Sequence, residues 1–275
     1  MLRSEVTPAP DDPPDRVTTP VAVASGPVSS PHRSDPVEAR QLEMLLAAAV
    51  VLVLLVGAGL AGVVVAVRRG PDAVPGYAQP AAAPAPADDA ARRTWAAAAE
   101  PATGVPARAL VAYARAEVAV HEELADCGVS WVTLAGLGGV ESNHGRFGGT
   151  ALDGQGRPGD PVRGPELDGT GGNREIRDTD GGRLDGDTTY DRAVGPLQFI
   201  PSTWALYGAD GDGDGVSDPD DLDDAAVAAA RYLCEDDRDL RRGDDWRAAV
   251  LAYNRSQAYV DRVRREAAAA ADGVR

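Results

Sequence analysis

Between Met44 and Val67 the chain reads MLLAAAVVLVLLVGAGLAGVVVAV, 24 residues without a charged side chain. As a helix this run would be roughly 36 Å long, enough to cross a hydrocarbon core of ~30 Å. A buried core helix is the rarer outcome for such a stretch. A cleaved leader fits poorly, because the run is long and starts far from Met1. We therefore expect one transmembrane helix over 44–67. Arg33 and Arg40 precede it and Arg68 and Arg69 follow it, so flanking charge leaves its orientation open.

The segments on either side read differently. Residues 1–43 are rich in Pro, Ser, Asp and Val with no sustained period, a composition too poor in apolar surface to offset ordering entropy; a disordered tail is expected. Residues 68–93 are rich in Pro and Ala and read as an extended stalk. That leaves a folded unit over 94–275. Acidic residues exceed basic ones by 16 over the whole chain, which argues against nucleic acid as a partner. All 27 basic residues are arginine, so no Schiff-base or phosphate-loop lysine exists. Three histidines and two cysteines are too few for a zinc finger.

Within 94–275 the periodicities are helical. Helices are expected over Ala107–Ala125, from a Ser130 cap to Glu141, from a Ser202 cap to Gly208, over Leu222–Cys234, over Asp245–Tyr253 and over Ser256–Ala270. No segment alternates long enough to read as a strand. Residues 145–192 form a Gly/Asp-rich stretch with few apolar anchors, which is either functional or partly unstructured.

Glu141 is the first candidate for chemistry. It closes a helix whose Leu134, Leu137 and Gly138 share its face, and a Gly-rich break, SNHGRFGG, follows it. A carboxyl desolvated there would keep its proton to higher pH, as general-acid cleavage of a glycosidic bond requires. From pattern alone, a solvent-facing helix-end glutamate is the commoner case. His144, beside a Gly break, reads as a solvated loop residue, and Phe199 and Trp204 read as packing residues.

Three segments shift that balance. GVESNHGRFGG resembles the Glu-Ser signature of lytic murein transglycosylases with lysozyme-like folds. AVGPLQFIPSTWALYG resembles the second motif of that family, with Gly195 and Gln198 in place, and LAYNRSQAYV resembles its Ala-Tyr-Asn motif at Ala252, Tyr253 and Asn254. QFIPSTW and the acidic loop after it are similar to the membrane-bound B-type branch. The resemblance implies a mostly α (α+β, lysozyme-like) catalytic domain that cleaves the β-1,4 bond between N-acetylmuramic acid and N-acetylglucosamine in peptidoglycan glycan strands. Glu141 would serve as acid and then base, while the muramic acid's own 6-hydroxyl attacks to give a 1,6-anhydro product. Ser142 would support the helix end or the substrate. Gln198, Tyr253, Asn254 and Tyr259 would face the sugars.

DGDGDGVSDPDD (210–221) matches a calcium-binding EF-hand loop. Asp210, Asp212 and Asp214 fall at positions 1, 3 and 5, Val216 at 7, Asp218 at 9 and Asp221 at 12, where Asp replaces the usual Glu. A structural Ca2+ is expected there, as the resemblance also implies; a solvated acidic loop is the alternative. The run Asp178–Asp187 has the wrong spacing and reads as solvated. Cys127 and Cys234, each beside an expected helix, are the only cysteines; one disulfide between them would place the domain in an oxidising compartment. With calcium and peptidoglycan, this puts the catalytic domain outside the cell membrane and the tail in the cytoplasm. Two rivals stay open: a muramidase hydrolysing the same bond with water, and a non-catalytic peptidoglycan-binding protein.

Overall fold

The computed structural model describes residues 77–275 apart from Gly172. The expected tail, the expected membrane span over 44–67 and the first part of the expected stalk lie outside the described residues. Among the described residues no helix is long and apolar enough to cross a membrane.

Seven α-helices and one small sheet make up this unit. They run α1 (Asp89–Thr103), α2 (Ala107–Glu123), α3 (Trp131–Ser142), β1 (Arg163–Glu166), β2 (Arg192–Val194), α4 (Pro201–Tyr207), α5 (Leu222–Leu233), α6 (Gly243–Tyr253) and α7 (Gln257–Asp272). Strands β1 and β2 pair antiparallel, with Arg163 opposite Val194 and an irregular register beyond. They are too short to leave an alternating pattern in the sequence. The mostly helical expectation is met.

Helix α3 is the axis of the core. Every residue from Trp131 to Gly138 is buried, so the helix is enclosed all round rather than amphipathic. Its most extensive contact is with α7, and small residues make that contact close. A Cβ on Gly136 would stand 2.6 Å from the carbonyl oxygen of Val263 and 3.0 Å from the Ala267 methyl. Trp246 of α6 closes another side, its indole N–H donating to Thr133 Oγ1 at 3.0 Å. Cys127 and Cys234 are disulfide-bonded, with Cα atoms 5.5 Å apart, joining the approach to α3 to the end of α5.

Two expectations about the N-terminal edge are corrected. The stalk does not extend to residue 93: from Tyr77 onward the chain lies on the domain, and α1 begins at Asp89. Gln79 fastens this strap, donating to Gly128 O at 3.2 Å and accepting from Ser130 N and Thr133 Oγ1 at 3.0 and 2.8 Å. The Trp131 indole donates to Ala83 O at 3.1 Å. Nor does the Ser130 side chain cap α3. The carboxylate of Glu117 does that work, accepting from Trp131 N at 2.7 Å and from Ala85 N of the strap at 3.3 Å.

The stretch 145–192 is ordered by aspartates rather than by apolar contacts. Asp178 accepts backbone N–H groups of residues 180, 181 and 182, and Asp187 those of 189 and 190. Buried Asp191 takes both the N–H and the hydroxyl of Thr179. Such side-chain turns replace the missing hydrophobic anchors.

Gly136→Ala is expected to cost about 1–3 kcal/mol in chemical denaturation, because α3 and α7 must separate to admit the methyl. An unchanged midpoint would show that the two helices part at little cost.

Candidate active site

The C-terminus of α3 carries Glu141 to the end of the core and then turns sharply. Asn143 and His144 both take left-handed backbone conformations (φ 53° and 60°), and the amides of both return to carbonyls of the last turn. Ser142 stays buried beneath. Its hydroxyl donates to Pro196 O and accepts from Gly145 N, both at 2.6 Å. Ser142 thus holds the helix end to the 195–198 segment and is not a surface for substrate.

That segment is itself pinned. Gly195 has φ 76°, and a Cβ there would lie 1.8 Å from Pro219 O, so only glycine fits. Gln198 follows in a left-handed conformation (φ 52°), its side-chain amide donating to Gly195 O at 2.9 Å.

Glu141 is only partly exposed, and Tyr259 of α7 donates its phenol hydrogen to Oε1. Burial dominates its titration and pushes the carboxyl up to about 7, against the opposing pull of the Tyr259 hydrogen bond and the Arg262 charge. Burial and the nearby Glu141 charge raise both Tyr253 and Tyr259 well above the ordinary phenol range. Tyr253 does not bond the glutamate. Its hydroxyl donates to Leu197 O at 2.8 Å, tying α6 to the same segment.

Beside these residues lies a cavity of about 560 Å³. Gln198, Tyr253 and Asn254 line it, with Tyr232, Thr203 and Ile176. Glu141 and Tyr259 are not wall residues, whereas Tyr253, whose phenol feels the Glu141 charge, is. Tyr232 is a residue that sequence reasoning missed. Its hydroxyl donates to Ala252 O at 2.8 Å and its ring meets Tyr253 edge-on at 5.5 Å. Its only sequence signal was an aromatic at the end of an otherwise alanine-rich helix. Phe199 and Trp204 are buried and in edge contact at 5.3 Å, as packing residues, although Phe199 also reaches the cavity wall. His144 is not solvated: it is buried, with Nδ1 3.1 Å from the Tyr113 hydroxyl, and burial lowers its pKa to about 4.

The acidic loop gathers a different set of carboxylates from the one its spacing suggested. Oxygens of Asp210, Asp212 and Asp224 lie within 4.8 Å of one another. Asp221, expected at the twelfth position, instead caps α5 through Asp223 N at 2.9 Å and faces Arg157 at 3.5 Å. Asp218 pairs with Arg157, and Asp214 accepts from Val216 N at 2.8 Å in an exposed turn. Burial, with Asp221 and Asp212 close by, raises Asp224 to about 6. Asp178, Asp180 and Asp191 form a second such group; Asp178 and Asp191 serve the turns described above, and Asp180 accepts the N–H groups of Arg183 and Leu184.

Residues 178–275 match the family model described as a transglycosylase SLT domain. Gln198, the acidic loop, Tyr253, Asn254 and Tyr259 fall inside the match, and Glu141 precedes it. No curated protein and no solved structure matches the chain. The match supports a transglycosylase-type enzyme that cleaves peptidoglycan, and the mostly helical fold with its small sheet is consistent with a lysozyme-like SLT domain.

The Glu141 carboxyl links folding to pH with a definite sign. Its proton is held in the folded state to about 7 and in an ordinary glutamate to 4.5. Stability from this group is therefore full below about 4.5 and is lost as pH rises through 7. Glu141→Gln removes that loss. The variant should be more stable than the parent by about 1–3 kcal/mol at pH 8 and equal to it near pH 4, read by urea denaturation. A gap of the same size at both pH values would show that Glu141 is not desolvated.

Proposed function

We propose that this protein is a lytic transglycosylase of the membrane-bound B-type, cleaving the β-1,4 bond between N-acetylmuramic acid and N-acetylglucosamine. The observation that carries this reading is a single carboxyl, Glu141, kept protonated near neutral pH by burial at the end of an enclosed helix and oriented by Tyr259. Glu141 gives its proton to the departing glucosamine O4 as the glycosidic bond breaks. The resulting carboxylate takes the proton of the muramic acid 6-hydroxyl as O6 bonds to C1. Proton count balances and no water is consumed. An intramolecular nucleophile is already in place, so a second carboxylate to position water is unnecessary. Gln198, Tyr253 and Asn254, with Tyr232, present the polar groups of the cleft to the sugars.

The full chain digesting purified peptidoglycan should release muropeptides one water lighter than hydrolysis products. Glu141→Gln should reduce turnover by about 10²–10⁴-fold, and the parent rate should fall as pH rises above 7. Reducing-end products would make the enzyme a hydrolytic muramidase. Binding without turnover by the parent would make it a non-catalytic wall-binding protein.

We further propose that Asp210, Asp212 and Asp224 hold a structural Ca2+. Their oxygens suit a hard cation, and such a charge would relieve buried Asp224 of its repulsion by Asp212 and Asp221. The ion would tie the loop to the first turn of α5. The same reading puts the domain outside the cell membrane, anchored through 44–67, where a disulfide and calcium are at home. Millimolar calcium should raise the melting temperature, and Asp224→Asn should abolish the rise while Asp221→Asn should leave most of it. An unchanged melting temperature in the parent would remove the ion from this account.

A further inference from the structure

The cleft wall carries two positive charges and no negative one, in a chain where acidic residues outnumber basic ones 43 to 27. Arg174, from the loop between the strands, and Arg255, which follows Asn254 in the α6–α7 turn, both line the cavity. Neither has an ion-pair partner among the described residues, and both are exposed. Arginines elsewhere are mostly neutralised. Arg108 and Arg115 converge on Asp223, Arg163 grips Asp220 through two bonds of 2.6 and 2.8 Å, and Arg231 grips Glu123. Even Glu175, next in chain to Arg174, is committed elsewhere, to Arg177 at 2.9 Å. With so many carboxylates available, two bare guanidinium groups at one cavity form a local cationic site. Arginine presents a planar fork that matches a carboxylate with two parallel bonds.

We propose that Arg174 and Arg255 form a carboxylate-binding subsite that reads the acidic substituents of muramic acid. This rests on the reading that the cleft takes peptidoglycan. The sugar backbone of such a strand offers neutral hydroxyl and acetamido groups, which Gln198, Asn254 and Tyr232 suit. Its negative charges are carboxylates, carried either on the lactyl ether of a peptide-free muramic acid or on an attached stem peptide. The pair therefore separates muramic acid-containing glycan from neutral polymers of the same linkage. It does not take part in bond cleavage.

The test compares peptide-bearing glycan, peptide-stripped glycan and the carboxyl-methylated form of each. Turnover and equilibrium binding are both read, for the full chain and for Arg174→Gln, Arg255→Gln and the double variant. The parent should prefer carboxylate-bearing over methylated glycan through a lower KM at similar kcat. Each substitution should cut that preference on the order of tenfold, the double variant should bring it close to one, and Arg255→Lys should recover part of it. Preference seen with stripped glycan assigns the lactyl carboxylate; preference seen only with peptide-bearing glycan assigns the stem. A preference untouched in the double variant, or absent in the parent, overturns the subsite. If the parent binds but does not cleave, the catalytic reading fails while the binding arm still decides the arginine pair. If the parent neither binds nor cleaves any of these glycans, both readings fall.

Discussion

Helix α3 can hold Glu141 half-buried at the end of the core only because α7 lies directly against it. The contact depends on Gly136, where no side chain fits between α3 and the Val263 carbonyl. Through it, α7 brings Tyr259 onto the Glu141 carboxyl. Enclosure of α3 supplies the desolvation that raises the glutamate, and the tyrosine opposes part of it while fixing orientation. Packing and acidity are thus one arrangement, and a mutation that loosens the first weakens the second. The stability that ionised Glu141 takes away at neutral pH is the usual companion of a tuned acid.

The acidic character of the chain has a constructive role. Where apolar residues are scarce, aspartate side chains accept backbone N–H groups and set the turns of the 145–192 stretch, as with Asp178 and Asp187. Asp223, fully buried, binds two arginines of α2, while Asp221 caps α5 one turn from Asp224. The 210–224 loop is built the same way: Asp210 accepts the N–H groups of Gly213 and Gly215, and Asp224 those of Gly211 and Asp218. The cleft wall has no carboxylate.

Much of this was readable in one dimension. Six helices lie close to where periodicity places them, and Leu134, Leu137 and the glycine break mark Glu141 as a candidate, although pattern alone favours a solvent-facing residue there. What was hidden depended on distant partners. Glu117 displaces Ser130 as the cap of α3 from a separate helix, and no local rule selects it. Asp221 fits a twelve-residue calcium loop by count, yet its neighbourhood makes it a helix cap and turns Asp224 inward. His144 beside a glycine looked solvated; the absence of a side chain at Gly138 lets Tyr113 reach it and seal it in. Helix α1 was concealed by Pro84, Pro86 and Pro101, although Asp88 before an alanine-rich run is an ordinary N-terminal signal, and its carboxylate does cap Ala91 N.

The strap that begins at Tyr77 has a mechanical consequence. The Tyr77 hydroxyl donates to Asp261 at 3.0 Å and receives a bond from Gln257 at 3.0 Å, while Arg247 covers its ring. Both carboxylate and amide flank Tyr259 on α7, two residues to either side. Tension arriving along the backbone at Tyr77 is therefore delivered first to the helix that orients the acid. The strap and the Glu141 carboxyl are thus held by the same helix.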